Sequence, residues 1–352
     1  MPKAKKLPSG NWRVRIFAGK DKEGKGIYKS FTDPDKKKVE FQAAEYAVSR
    51  KRENSTENWS FDKALDKYLD SKSNLLSPAT IRGYRILQRN CFALIKNEPL
   101  GKLASNDLIQ KQMNENAKAY SAKSITNQFG LITAVMNYHG FNISKVNLKP
   151  KEDKHILVPT KKDAEKIMVL LQTDPSIECQ ALLALTCSLR QSEIAALHAR
   201  NISGKTVDVH GARVPNEESK LVYKSTNKSK AGARKVTMPD YLAERIQEMC
   251  KDLKPDDLIF NMTPGNVLKR FKKLLANNGL PPYTIHSLRH CFAAIMHARN
   301  VPDKYVMDMG GWSSDNVLKR VYQYTFEEET IKAKEEVNNY FDNLYDTKHD
   351  TK

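Results

Sequence analysis

The chain has 352 residues, more than one ordinary domain, and its 59 Lys and Arg against 41 Asp and Glu give a formal charge of +18. This charge favours a polyanionic partner, nucleic acid ahead of an anionic membrane surface. No apolar run reaches the roughly 20 residues of a membrane span and the N-terminus lacks a signal-peptide core, so we expect a soluble, cytoplasmic protein with no membrane partner.

The first 52 residues are strongly basic, with 15 Lys and Arg against 6 Asp and Glu, which is +9 or half of the total charge. Three apolar residues that alternate with charged ones predict a strand: Trp12, Val14, Ile16. Residues 27–31 predict a second strand, and Asp33 as a cap with Pro34 as the first residue predicts a helix to about Arg50. A solvated basic tail is the alternative, disfavoured because tails lack this aromatic alternation.

Residues 59–140 change to helical periodicity and predict a four-helix domain. Ser77 and Pro78 begin the second helix, while Ser105 and Ser121 are candidate caps for the last two. A Lys-rich, weakly periodic linker then predicts a domain boundary over residues 142–159.

Beyond the linker, Thr160 with Asp163 three residues later predicts a helix start, and a further helix covers about 178–187. Alternation and turn residues over 206–238 predict short antiparallel strands. The expected fold is therefore multidomain α+β: a small basic sheet plus helix, an all-α domain and a mixed α+β domain, in the ranges 1–55, 56–145 and 155–352.

Cationic and hydrogen-bonding residues recur in distinctive strings of the last domain. Arg190 lies in Cys-Ser-Leu-Arg-Gln-Ser-Glu at the start of an apolar helix, and His286 and Arg289 lie on adjacent turns of another. Two guanidinium groups can clamp one phosphate and stabilise extra negative charge on it without a metal. A basic hairpin around Lys228 offers a general acid, and Tyr322, ten residues after Trp312, offers a nucleophile.

These strings resemble, in order along the chain, the signature of the tyrosine recombinase (phage integrase) family. The family's R-x-[SG]-E box matches residues 190–193, its H-x-L-R-H box matches 286–290, and the spacing to Tyr322 is in register. The resemblance is strongest over about 178–325 and is closest in type to integrases of temperate phages and conjugative transposons.

Two positions depart from the family pattern: Ser188 stands where most members have Gly, and Trp312 where most have His. An indole N–H can donate to a phosphate oxygen but cannot transfer a proton, so Trp312 positions rather than titrates. In relatives of conjugative-transposon and Gram-positive phage type, the hairpin reads roughly K-T-K-x-x-x-R-x-I-x-x-P, which maps its first Lys onto Lys228, with Lys230 and then Lys224 as alternatives because hairpin loops vary in length.

The resemblance implies six catalytic residues and no cofactor or metal: Arg190, Lys228, His286, Arg289, Trp312, Tyr322. Tyr324 is a rival nucleophile that the spacing disfavours. Glu193 is expected to orient Arg190 or cap its helix, and His290 to lie behind the phosphate-contacting residues. Taken singly, each string also fits an ordinary surface pair or a half-buried core tyrosine.

By the same resemblance, the first domain is an arm-type DNA-binding domain and the second a core-DNA-binding domain. The implied activity is site-specific recombination of double-stranded DNA: a homotetramer cuts and rejoins strands through a 3′-phosphotyrosyl link and a Holliday junction, integrating or excising a prophage or conjugative transposon. Accessory DNA-bending or directionality factors are implied partners. The alternatives are a type IB topoisomerase-like enzyme and a catalytically silent DNA-binding protein.

The C-terminal segment carries apolar residues at roughly helical intervals after three glutamates: Ile331, Val337, Tyr340, Phe341, Leu344, Tyr345. Such a stripe needs a partner surface. Family members commonly dock this segment on a neighbouring protomer, so we expect packing in trans, with packing in cis as the alternative.

Overall fold

The computed structural model describes residues 3–20, 26–53, 56–105, 107–150, 156–225, 233–316, 318–319, 321 and 327–346. The chain is multidomain and α+β, and it divides into two compact units, Met1–Glu152 (unit 1) and Asp153–Lys352 (unit 2). This division falls inside the predicted linker. The predicted boundary at residue 55 lies within unit 1 and stays a prediction. Across the described residues, no helix combines the length and apolar character that crossing a bilayer requires.

Unit 1 begins with an antiparallel sheet of order β1-β2-β3 and one helix: β1 (Lys5–Lys6), β2 (Trp12–Lys20), β3 (Gly26–Asp33), α1 (Lys36–Glu53). The predicted alternation is confirmed, because Val14 is buried against Val39 and Ala43 of α1. The helix begins two residues later than predicted. Asp35, whose carboxylate accepts the Lys37 N–H at 2.8 Å, caps the first turn in place of Asp33.

The remainder of unit 1 is all-α, with five described helices: α2 (Phe61–Lys72), α3 (Pro78–Asn90), α4 (Leu100–Ser105), α5 (Leu108–Asn116), α6 (Ala122–Tyr138). The starts at Pro78 and after Ser121 are as predicted. The prediction of four helices was wrong, because α4 has only six residues and is too short to show periodicity. Ser105 ends α4, and its hydroxyl donates back to the Gly101 carbonyl at 3.0 Å, so it does not cap α5.

Unit 2 contains most of the described strands and a helical core. Its helices are α7 (Lys161–Leu171), α8 (Pro175–Thr186), α9 (Gln191–Ile194), α10 (Asp240–Cys250), α11 (Pro264–Asn277), α12 (Ile285–Ala298), α13 (Asp303–Gly310) and α14 (Glu327–Asp346). Thr160 caps α7 by accepting the Asp163 N–H at 3.1 Å, as predicted. Helix α8 is buried from Ile177 to Leu185 and packs against α7, α10, α11 and α12, so it forms the centre of this unit.

The predicted strand region of unit 2 forms two separate antiparallel sheets: β4 (Ile202–Ser203), β5 (Thr206–Val209), β6 (Gly211–Pro215), β7 (Leu221–Ser225), β8 (Arg234–Thr237). Strands β4, β5 and β8 make one sheet, in which Val209 lies opposite Arg234. Strands β6 and β7 form a hairpin of their own, with Val214 opposite Val222. The start of β8 is thereby held beside the end of β5, which fixes where the Arg234 side chain begins.

Candidate active site

Arg190 lies directly before the short helix α9, in extended backbone, because the chain reverses after α8. Ser188 makes this reversal with a φ of +56° and is fully buried. Glu193 accepts the Arg190 backbone N–H at 2.9 Å and its Nη1 at 2.7 Å. The carboxylate thus caps α9 and orients the guanidinium, as the sequence predicts. The Arg190 side chain remains 38% exposed, so it is accessible to a ligand.

Helix α12 carries both residues of the H-x-x-R string one turn apart, with different exposure to solvent. Its start is fixed by a reciprocal cap, in which Thr284 Oγ1 accepts the Ser287 N–H at 3.0 Å and Ser287 Oγ accepts the Thr284 N–H at 3.1 Å. His286 reaches solvent, whereas Arg289 is 1% exposed. The Arg289 Nη1 donates to the Ser188 carbonyl, which ties α12 to the turn before Arg190.

The turn after α13 places the Trp312 side chain next to Arg289. Gly311 ends α13 with a φ of +63°, and its carbonyl accepts Arg190 Nη2 at 2.8 Å. A Cβ on Gly310 would lie 1.8 Å from the Trp312 ring, so only glycine fits there. The guanidinium carbon of Arg289 lies 4.1 Å from the Trp312 ring centroid, a cation–π stack.

The Trp312 ring is also part of a small apolar cluster in unit 2, whose buried members are Phe292, Ala293, Ala294, Val306, Trp312, Leu318 and Val321. Val321 is fully buried there, and it is the residue before Tyr322. Tyr322 and Tyr324 themselves lie outside the described residues.

The site is electropositive, and its imidazoles are held neutral. Burial lowers the pKa of Arg289 to about 9, with the nearby charge of Arg190 adding to the effect. Partial loss of hydration, then Arg289 and Arg190, lower the pKa of His286 below its ordinary value. The His290 ring lies 4.5 Å from that of His286, and burial followed by His286 and Arg289 lowers the pKa of His290 to about 4. His286 is therefore mostly an uncharged hydrogen-bonding group near neutral pH.

Four of the six predicted site residues are described, and the structure brings these four together: Arg190, His286, Arg289, Trp312. Lys228 and Lys230 lie outside the described residues. Lys224 is on β7, opposite Ala212 of β6, and is partly exposed.

Sequence reasoning missed Arg234, which joins this group. Its Nη2 lies 2.9 Å from Glu193 Oε2, and both side chains are nearly buried. The signal was present, because Arg234 matches the R of the hairpin pattern quoted for the lysine. Its role could not be assigned from the sequence, because a basic hairpin is equally typical of charged residues on a protein surface.

The arrangement suits a tetrahedral anion carrying extra negative charge. Arg190 offers a partly exposed guanidinium fork that matches phosphate oxygens, and the buried Arg289 adds a second positive charge whose Nη2 has no hydrogen-bond partner among the described residues. The Trp312 indole and the His286 ring add uncharged N–H groups. Donors that are fixed by packing need little reorganisation as charge develops on phosphorus, so the site can stabilise a phosphoryl-transfer transition state.

Comparison with known proteins gives the same family over this region. The family model described as Phage integrase family matches residues 158–329. A protein of Caldanaerobacter subterraneus subsp. tengcongensis, named tyrosine recombinase XerC-like, is 24% identical over 380 aligned residues, covering 94% of this chain and 96% of the relative. An integrase of Saccharopolyspora erythraea is 28% identical over 131 residues, covering 32% of this chain and 30% of that protein.

Solved structures share the fold. The Tn1549 transposon integrase in complex with transposon right end DNA aligns with a TM-score of 0.62 at 16% identity, covering 80% of this chain and 100% of that one. A lambda integrase tetramer bound to a Holliday junction aligns with a TM-score of 0.57 at 16% identity, covering 90% and 96%. Taken with the boxes that place Arg190 and Arg289 in one site, the family match identifies residues 158–329 as a tyrosine recombinase domain of the phage integrase family.

Proposed function

We propose that this protein is a site-specific DNA recombinase that integrates or excises a mobile element, with Tyr322 as its nucleophile. The observation that carries the proposal is the convergence of Arg190 and Arg289 on one turn, with Arg289 stacked on Trp312. The family match and the integrase relatives support the same activity.

The roles follow from the chemistry of each side chain. Tyr322 attacks the scissile phosphate, giving a 3′-phosphotyrosyl link and a free 5′-hydroxyl, and a 5′-hydroxyl of the partner duplex reverses the step through a Holliday junction. Arg190 and Arg289 balance the charge on phosphorus, while Trp312 and His286 donate hydrogen bonds to it. Lys228 protonates the departing 5′ oxygen, with Lys230 as the alternative. Since each phosphodiester is replaced by a phosphotyrosyl ester, no cofactor or ATP is required.

A nicked suicide substrate tests the nucleophile directly, because loss of the short 5′ fragment traps the covalent intermediate. The wild-type protein should form a protein–DNA adduct that survives denaturing electrophoresis. Tyr322→Phe should bind DNA but form none, since only the attacking hydroxyl is removed. Tyr324→Phe is the matched control and should still form the adduct; the reverse pattern would move the role to Tyr324.

Strand exchange separates a recombinase from a topoisomerase-like enzyme. Incubation with two labelled duplexes that carry attachment sites should yield Holliday junctions and exchanged products. Adducts and supercoil relaxation without exchanged products would indicate the topoisomerase alternative. Binding without adducts would indicate the catalytically silent alternative.

The partners that we propose are core and arm attachment sites in double-stranded DNA, a homotetramer on that DNA, and accessory bending or directionality factors in the cytoplasm. Unit 1 supports arm binding, because basic side chains lie over its aromatic rings: Lys36 Nζ is 5.1 Å from the Trp12 centroid, and Arg15 Cζ is 4.9 Å from that of Tyr28. The lambda integrase neighbour forms a tetramer on a Holliday junction, which supports the same assembly for this chain.

Assembly through α14 is part of this proposal. Val337, Tyr340 and Phe341 are exposed on this helix, and the last two stack with ring centroids 5.4 Å apart. We propose that they pack on a second copy of the chain. An apolar groove of about 510 Å³ in unit 2, lined by α7 and α12 residues including Met168 and Ile295, is a surface of the required type.

Truncation after Thr325 tests docking in trans. The shortened protein should still bind one half-site and yet lose cooperative synapsis, measured by native gel shift with paired sites. Full-strength synapsis by the truncated protein would reject the trans arrangement. Val337→Asp is a milder variant that should show the same loss of synapsis, because a charge on an apolar contact surface is costly to desolvate.

A further inference from the structure

Arg234 contacts two of the described segments that carry candidate active-site side chains, the turn and helix around Arg190 and the end of α13 before Trp312. Its Nε donates to the Met309 carbonyl at 2.9 Å, in the last turn of α13 and three residues before Trp312. Its Nη2 donates to the Ser188 carbonyl at 3.4 Å, the same oxygen that accepts from Arg289. It also opens strand β8, directly after the segment that carries the candidate lysines.

Arg234 also pairs with Glu193, whose two carboxylate oxygens are shared between Arg234 and Arg190. Oε1 accepts Arg190 Nη1 at 2.7 Å and Arg234 Nη1 at 3.3 Å. Oε2 accepts the Arg190 backbone N–H and Arg234 Nη2, both at 2.9 Å. Although burial would raise the pKa of Glu193, Arg234 foremost and Arg190 next lower that pKa below its ordinary value. The carboxylate is therefore ionised in the folded protein.

The net charge of Glu193 and the three arginines around it decides how much positive charge Arg190 can direct at a phosphate. Three guanidinium groups and one carboxylate leave a formal charge of +2, which is the charge of Arg190 and Arg289 with Glu193 balanced by Arg234. Without Arg234, Glu193 would be balanced by Arg190 alone. The guanidinium would then be held as an internal ion pair, with one unit less positive charge left for the ligand.

We propose that Arg234 is a positioning residue that neutralises Glu193, so that Glu193 can orient Arg190 without cancelling its charge at the scissile phosphate. The inference rests on the recombinase function proposed above. It differs from a packing role in one respect: the defect left by removing Arg234 should depend on charge, both of residue 193 and of the phosphate.

Four proteins test the proposal: wild type, Arg234→Met, Glu193→Gln and the double variant. Single-turnover cleavage of a suicide substrate is measured with protein in excess, and half-site affinity is measured in parallel.

Because a lost transition-state charge contact costs on the order of 100-fold, Arg234→Met should slow cleavage by about 10- to 100-fold while half-site affinity changes less than about threefold. The double variant restores the formal charge of +2 and should cleave about tenfold faster than Arg234→Met. Lys235→Met, one residue along β8 and exposed, is the control for loss of a positive charge that does not contact Glu193.

A substrate with a methylphosphonate at the scissile position supplies the second readout, because its phosphorus centre carries no formal charge in the ground state. The Arg234→Met defect should shrink to less than about threefold on this substrate, since less cationic charge is then needed. A defect of equal size on both substrates would overturn the proposal. So would a double variant slower than Arg234→Met, or wild-type cleavage by Arg234→Met.

Two further outcomes have defined meanings. If Arg234→Met no longer binds half-sites, Arg234→Lys carries the test, because it keeps the charge that balances Glu193; a loss of about 100-fold in cleavage by a half-site-binding Arg234→Lys would overturn the proposal. If the wild-type protein forms no adduct on any substrate, the proposed recombinase function fails, which is a result distinct from all of those above.

Discussion

Arg289 and Trp312 form a stacked pair in which the charged group is almost fully buried and the ring covers it. Replacing Trp312 by Ala should destabilise unit 2 by about 3–5 kcal/mol, the usual cost of deleting a large buried aromatic side chain. Trp312→Phe keeps a ring over the guanidinium and should cost less than about 2 kcal/mol, yet it lacks the indole N–H and should still slow cleavage. Urea unfolding and single-turnover cleavage check both effects. Wild-type cleavage by Trp312→Phe would show that the N–H does not contact the phosphate.

Ser188→Gly should stabilise the protein. Ser188 has a φ of +56°, and its buried hydroxyl has no hydrogen-bond partner among the described residues. A non-glycine residue in this region costs roughly 1–2 kcal/mol, partly offset by the greater freedom of glycine in the unfolded chain, so a gain of about 0.5–1 kcal/mol is expected. Asn300→Gly, at the same φ, should gain less because Asn tolerates the region better. Equal gains at both positions in urea unfolding would contradict this reasoning.

Acid should destabilise the protein through His290, whose pKa burial lowers to about 4 from an ordinary value of 6.5. Between these values the unfolded chain binds the proton and the native state does not, so stability falls as pH drops from about 6.5 to 4 and levels below that. At about 1.4 kcal/mol per pKa unit, the loss reaches roughly 3 kcal/mol. His290→Asn should flatten this dependence, measured as unfolding free energy at pH 7 and pH 4.5. An unchanged pH dependence of the unfolding free energy in His290→Asn would show that another group is responsible for the acid destabilisation.

For the general acid, a 5′-phosphorothiolate substrate identifies the lysine, because sulfur leaves without protonation. Lys228→Ala should slow cleavage of the ordinary phosphodiester by about 100-fold and recover on the phosphorothiolate. Lys230→Ala is the matched comparison and should show neither a large defect nor rescue. Rescue confined to Lys230→Ala would transfer the role to that residue.

Residues 1–52, with a charge of +9, should bind arm sites separately from the core site. Deleting them should spare cleavage of core DNA and sharply lower affinity for arm-site DNA. Arm binding by the whole protein should weaken steeply with salt, with a log–log slope of about −0.9 for each phosphate neutralised. Undiminished arm affinity in the deletion variant would argue against this assignment.

The helix starts could be predicted well where a local signal sets them. Thr160 with Asp163 and the Ser77-Pro78 pair act within one turn, so the sequence alone contains the whole interaction. Asp33 and Asp35 compete for one cap, and their geometry in the turn after β3 decides between them. Residue propensities do not distinguish between two neighbouring candidate caps, which is why α1 begins two residues later than predicted.

The site was predictable as a set of residue types and spacings, but not as a network. That Arg190 donates to Gly311, 121 positions away, follows from tertiary packing that no string encodes. The Gly preference at position 188, by contrast, became intelligible only with the backbone angle observed there. A family pattern records such constraints without stating their cause.

Gly310 and Trp312 are joined by steric exclusion, since any Cβ at 310 would occupy space that the indole fills. Positions 310 and 312 therefore do not vary independently: a side chain at 310 becomes admissible only after the ring at 312 has been replaced by something smaller. In a pool of random variants, a side chain added at position 310 would be selected against unless the ring at position 312 had already been replaced. The order of substitutions along a lineage is thus constrained by a contact between two neighbouring residues. His would replace Trp312 first, and a non-glycine residue at position 310 would follow.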